Sequence, residues 1–263
     1  MRGLGAAARY LGQGMAEVLW PTRCVGCDAL GQLLCPQCQR QLYEIDQATA
    51  CPRCGAPFGS LVCTECTPCL TDDDDPWSED GPDPDAPVQL ADTIAALDAV
   101  RCYAMLEWPH DNMVKAYKDA GERRLSALIA ADMAKAALAG YGRQGLSGLD
   151  ALCFVPCTPQ AFARRGCDHM ELVAREVSRL LGIPLDDVLA RRSTRDQRNL
   201  GKRGRAANAL GSFAVLRGLE GRRLLLLDDV FTTGATLGAA ARALKSRGAS
   251  QVLGLTFARA WLA

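Results

Sequence analysis

Two adjacent acids at the end of an apolar run, followed by a turn of threonines around a glycine, are the residues of this chain best placed to do chemistry. They lie in the stretch LLLLDDVFTTGAT, from Leu224 to Thr236. Asp228 and Asp229 can accept hydrogen bonds from the vicinal hydroxyls of a sugar if they stand at the carboxyl end of a parallel strand, where open α/β sheets bind ligands. Thr232, Thr233, Gly234, Ala235 and Thr236 then supply hydroxyl donors, a glycine that admits close backbone approach, and free N–H groups at a helix start that suit a phosphate. This spacing predicts a phosphorylated sugar, with ribose on the acids and phosphate in the turn. The competing reading is the magnesium-binding strand of a P-loop nucleotide hydrolase. No GxxxxGK[ST] supports it, since the Gly201, Lys202, Arg203 run lacks both the hydroxyl residue and the glycine spacing.

The stretch resembles the phosphoribosyltransferase signature, which implies phosphoribosyl pyrophosphate (PRPP) bound with magnesium. It also implies a pyrophosphate loop after an earlier strand, here Pro156, Cys157 and Thr158, with Arg164 and Arg165 close behind as forks for phosphate oxygens. The competing reading of those arginines is that they flank a surface helix. A second basic run, 191 to 205, includes Arg198, Lys202, Arg203 and Arg205. It reads as a flap over pyrophosphate, a track for a nucleic-acid backbone, or a solvated loop, and charge alone does not separate these.

Cysteine supplies a different chemistry. Cys24 and Cys27, Cys35 and Cys38, Cys51 and Cys54, and Cys63 and Cys66 form four Cys-x-x-Cys pairs, with Cys69 trailing as an alternative to Cys66. A two-residue gap turns both sulfurs onto one cation, and two such knuckles complete a tetrahedral thiolate shell, so the eight predict two structural zinc sites. Pairing the first two knuckles and the last two follows proximity, and an interleaved pairing stays open. Gly55, directly after Cys54, suits the tight turn. A thioredoxin-type redox motif is the alternative for any single pair, but it needs a βαβ context that this segment lacks. Such a ribbon module serves equally as a grip for nucleic acid or protein and as a structural cap.

These residues need elements to position them. The sequence has 263 residues, 49% hydrophobic, with zero net charge and 13 cysteines. No signal-peptide pattern opens it, which predicts reduced thiols in a cytoplasmic protein. Residues 4–20 read as an amphipathic helix too short and too interrupted to span a membrane. Residues 71–87, acidic and proline-rich, read as a solvated linker. Beyond it, strands are expected at 97–105, 150–155, 210–216, 224–227 and 251–257, and helices at 111–117, 124–138, 169–181 and 235–247. Alternation of this kind predicts an α/β fold with a mainly parallel, doubly wound sheet. The expected division is an amphipathic helix (1–22), a small cysteine-rich double zinc-ribbon domain (23–70), the linker (71–90) and a type I phosphoribosyltransferase-like domain (91–263). Tyr117, His169 and Phe231 are candidates for stacking on an acceptor base.

The order of motifs as a whole resembles the ComF family: LWPTRC before the cysteine pairs, Lys115, Tyr117 and Lys118 on a helix, the VPCTP turn, Arg164, Arg165 and Gly166, a Gln197, Arg205, Asn208 segment, and the PRPP motif. The resemblance implies an association with natural competence and with single-stranded DNA taken into the cell, and competence proteins as partners. Where the family has RGFNQ, this chain has Arg165, Gly166, Cys167, Asp168 and His169. A glutamine amidotransferase is not expected, because the sequence leaves no room for a glutaminase domain. Transfer of the phosphoribosyl group to an acceptor and nonenzymatic binding of single-stranded DNA, with PRPP as regulator or vestige, are the two functions that follow.

Overall fold

Short apolar runs separated by amphipathic helices can be buried only if helices cover both faces of the sheet they form. The computed structural model describes residues 21–59, 63–66, 90–191 and 212–261. In chain order its elements are α1 (Pro36–Gln39), α2 (Leu90–Thr93), β1 (Ala99–Met105), α3 (His110–Lys118), α4 (Leu125–Ser147), β2 (Ala151–Phe154), α5 (Pro159–Arg165), α6 (His169–Leu181), β3 (Leu189–Arg191), β4 (Phe213–Val215), β5 (Arg223–Phe231), α7 (Ala235–Ser246) and β6 (Gln251–Arg259). Four strands make a sheet in the order β1-β6-β5-β2, every pair parallel. β3 and β4 form a separate antiparallel pair. The crossing of neighbours out of sequence order is the doubly wound arrangement that the alternation of strands and helices predicts.

The described residues group into two compact units, one drawn from 1–43 with Glu107–Leu125, the other from Glu44–Leu106 with Ser126–Ala263. In the second unit the core is the sheet itself. Leu224, Leu225, Leu226 and Leu227 of β5 are fully buried, as are Leu152 and Cys153 of β2 and Leu255 and Phe257 of β6. α6 lays Met170, Val173, Ala174 and Val177 inward, and α7 contributes Leu237, Ala240 and Leu244. α6 begins where Asp168 accepts a hydrogen bond from the Met170 N–H at 2.9 Å, and it ends on left-handed Gly182. Among the described residues no helix is long and apolar enough to cross a membrane.

In the first unit the Trp108 indole N–H donates to the Gly26 carbonyl at 3.1 Å, and Arg124 donates to Thr22 Oγ1 at 2.7 Å. These bonds tie the first cysteine knuckles to the segment that carries α3. The Cys24–Cys38 cluster belongs to the first unit and the Cys51–Cys66 cluster to the second. The helix expected over 4–20, Cys69, the linker from 71 to 89, and Gln197, Arg198, Lys202, Arg203, Arg205 and Asn208 lie outside the described residues.

Candidate active site and cysteine clusters

β5 does not stop before its acids. It is paired with β6 as far as Phe231, opposite Arg259, whereas its pairing with β2 ends at Leu227, opposite Phe154. The last link on that side is the Val155 N–H to the Leu227 carbonyl, at 2.9 Å. Beyond it β2 turns away through Pro156, Cys157 and Thr158, so Asp228 and Asp229 stand at a fork between two strands. The Asp229 N–H donates to Asp228 Oδ1 at 3.0 Å and the Val230 N–H to Asp229 Oδ1 at 2.8 Å, which fixes both carboxylates against their own backbone.

The turn follows at once. Thr232, Thr233, Ala235 and Thr236 are exposed, and Gly234 is buried with φ +71°. A Cβ there would sit 2.7 Å from Ile94 Cγ2 and 2.9 Å from Phe231 Cζ, so both the left-handed backbone and the space beside it demand glycine. The Thr233 hydroxyl accepts from the Ala235 N–H at 3.4 Å, and the first turn of α7 opens directly behind. This places hydroxyls and helix N–H groups together on one exposed surface, an arrangement able to bind an anion.

Across the fork the 156–158 turn is already engaged. Thr158 caps α5 through the Ala161 N–H at 3.2 Å, the Cys157 N–H donates to Asp168 Oδ2 at 2.7 Å, and the Pro156 carbonyl accepts from Arg191 Nε at 3.0 Å. Burial, reinforced by the charge of Asp168, pushes the Cys157 thiol up to about 11, which keeps it protonated near neutrality. Arg164 and Arg165 lie in the last turn of α5, a short helix opened by Pro159 and closed on left-handed Gly166. Arg164 is exposed, while Arg165 reaches inward, with Nη1 3.3 Å from His169 Nδ1. His169 Nε2 lies 2.9 Å from Asp229 Oδ2. A guanidinium only donates, so Nδ1 accepts and Nε2 carries the proton given to Asp229.

His169 thus joins the arginine of the 156–165 side to the acid of β5, a role that the sequence did not disclose. The expectation that Tyr117, His169 and Phe231 stack on a base is not met. They are 5%, 7% and 1% exposed and present no open ring face. Beside the 156–158 turn lies a cleft of about 430 Å³, walled by Phe154, Phe162 and Leu189 and edged by Glu171, Asp187 and Arg191. Burial, with Glu171, Asp168 and Asp186 nearby, raises Asp187 above the ordinary carboxylate range.

The cysteines converge as two groups of four, Cys24, Cys27, Cys35 and Cys38, and Cys51, Cys54, Cys63 and Cys66, each with all sulfurs within 4.8 Å of one another. Sulfurs 2.3 Å from a tetrahedral zinc stand roughly 3.8 Å apart. The Cys27 to Cys35 and Cys54 to Cys63 distances are 3.6 and 3.4 Å. The donor sets therefore fit zinc, and the proximity pairing replaces the interleaved one. Burial opposes ionisation of Cys24, but hydrogen bonds from the backbone at Cys35, Cys27 and Gly26 pull its thiol down to about 6. In the second group Cys51 is held far below the ordinary thiol value by the thiols of Cys54 and Cys66. Cys35 is shifted down as well, chiefly by a hydrogen bond from the backbone at Cys38, so the first cluster holds two thiols that ionise ahead of their neighbours and the second holds Cys51.

Residues 171–259 match the family model of the phosphoribosyl transferase domain, and residues 15–70 match that of the double zinc ribbon domain. The chain is 26% identical over 223 residues to the DNA utilization protein YhgH of Salmonella typhi, covering 83% of this chain and 87% of that protein. It is 33% identical over 102 residues to Competence protein F of Haemophilus influenzae, covering 37% of this chain and 44% of that one. A ribose-phosphate pyrophosphokinase of Ralstonia nicotianae is 31% identical over 97 residues, 37% of this chain and 30% of that one. Sheet, acids and turn define a phosphoribosyltransferase-type domain, joined in this chain to cysteine clusters of zinc-ribbon type. Both domains together, with these relatives, support a ComF-family protein.

Proposed function

We propose that the fork at the end of β5 binds PRPP and transfers its phosphoribosyl group to an acceptor. The observation that carries this reading is the placement of Asp228 and Asp229 where β2 and β5 part, directly before an exposed threonine turn and the start of α7. In this reading the 5-phosphate lies in the 232–236 turn, the ribose hydroxyls bond Asp228 and Asp229, and the pyrophosphate faces the 156–158 turn with Arg164 and Arg165. Magnesium, a hard cation that favours carboxylate and phosphate oxygens, fits the two acids and offsets charge on the leaving group. The bond from C1 to pyrophosphate breaks, the ring takes up positive charge beside the carboxylates, and the acceptor adds to C1 and loses its proton. The chain's contribution is positioning and preset charge.

Calorimetric titration with PRPP tests the site. Binding is expected to require magnesium and to disappear when Asp228 and Asp229 are both replaced by Asn; unchanged binding in the double variant overturns it. Pyrophosphate release with a panel of bases and amines then tests transfer. The names of two relatives, a DNA utilization protein and Competence protein F, favour a second reading, single-stranded DNA binding in the handling of imported DNA, with competence proteins as partners. Saturable PRPP binding without release across the panel, together with DNA binding that weakens steeply with salt and on replacing Arg203 and Arg205, would favour that reading. The paired thiols support a reducing compartment, the cytoplasm.

A further inference from the structure

Arg259 is the largest fully buried side chain described, with no exposure at all. It closes β6, where it pairs in register with Phe231 of β5, and its carbonyl accepts from the Leu106 N–H at 2.7 Å. Its guanidinium forms an ion pair with Glu65, which lies between Cys63 and Cys66 of the second cysteine cluster. Nε and Nη1, both buried, have no hydrogen-bond partner among the described residues. A guanidinium in such a place needs negative charge beside it. With metal bound, the thiolates of Cys54, Cys63 and Cys51 would supply that charge, which opposes the effect of burial on the arginine. Zinc held by four thiolates carries a net charge of about −2, which a neighbouring cation stabilises.

The other face of the same guanidinium lies over the Phe231 ring, 4.8 Å from its centroid. The edge of that ring occupies the space beside Gly234, 2.9 Å from where a Cβ would stand. The Phe231 carbonyl is held by the Ala260 N–H at 2.8 Å. One buried cation therefore touches the surroundings of the second cysteine cluster on one side and the support of the threonine turn on the other. Both contacts lie within the second compact unit.

We propose that Arg259 is a positioning residue that links metal in the Cys51, Cys54, Cys63, Cys66 cluster to the set of the 232–236 turn, through its charge toward the cluster and its stacking on Phe231. The link does not depend on what the turn binds. Two readouts test it in the zinc-loaded full-length protein: the rate of zinc transfer to a chromogenic chelator, and backbone hydrogen exchange of the peptide spanning 231–238. Arg259→Met is expected to speed zinc loss from one of the two sites roughly 10- to 100-fold, the range for an outer-shell partner of a metal ligand. It is also expected to speed exchange in the turn about tenfold while leaving the α6 peptide at wild-type protection. Arg259→Lys, which keeps charge on a flexible stem, is expected to recover a large part of both. Wild-type zinc release in Arg259→Met overturns the proposal. So does exchange that rises uniformly over the second unit, or a lysine variant no better than methionine, since each reduces Arg259 to packing.

Discussion

At the scale of the residue, the candidate site depends on a histidine. His169 donates to Asp229 and accepts from Arg165, so its removal leaves a carboxylate and a guanidinium to find other partners at the fork. Losing a hydrogen bond to a charged group costs about 1.5–3 kcal/mol. His169→Ala is therefore expected to weaken PRPP binding on the order of 10- to 100-fold, with His169→Gln recovering much of it, because an amide can donate to Asp229 and accept from Arg165. Calorimetric affinities at one magnesium concentration check this, and an alanine variant with wild-type affinity removes the role. The acids and threonines were legible in sequence because an apolar run, two acids and a turn are contiguous. The histidine was not, because its partner is 60 positions away and only α6 packed on the sheet brings the two together.

At the scale of the element, α6 was readable to the residue. A cap at Asp168, a strong apolar stripe and Gly182 at its end all agree. α5 entered only through the competing reading, in which Arg164 and Arg165 flank a surface helix; both stand in its last turn, and its seven residues beginning at a proline are too few to show a periodic stripe. β5 was read too short, since acids ordinarily end an apolar run; only β6, paired beyond them, shows the strand continuing. α4 carries a separate consequence in Asp132. Burial and the neighbouring Glu44 push its carboxyl up to about 7, against opposing help from Tyr103 and Lys135, and its Oδ2 has no hydrogen-bond partner among the described residues. The folded chain therefore holds this proton to a higher pH than the unfolded chain, and stability falls as pH rises from about 4 to 7. Asp132→Asn is expected to be more stabilising at pH 8.5 than at 5.5, by on the order of 2 kcal/mol. Denaturant melts at both pH values measure it, and an equal effect at both contradicts the shift.

At the scale of the whole molecule, the four cysteine pairs converge as the two groups of four that pairing by proximity predicts. The pattern could not show that the groups belong to different units, because the first unit is completed by Glu107–Leu125, far along the chain. Metal analysis is expected to return about two zinc per chain by the four-thiolate rule. Acidification is expected to release it, because protons compete for the thiolates. A stoichiometry of one or none contradicts the paired clusters.

The unequal pairing of β5 has a mechanical meaning. For four residues past Leu227 the strand is a cantilever, clamped along its β6 edge and open along the other. Its stiffness is directional: β6 resists bending on one side, while the open edge yields most readily. A molecule that bridges the acids to the 156–158 turn would brace the beam at its unsupported edge. Occupancy of the fork should therefore appear as quenched motion in the tip of β5, even where no atom of the occupant touches that backbone.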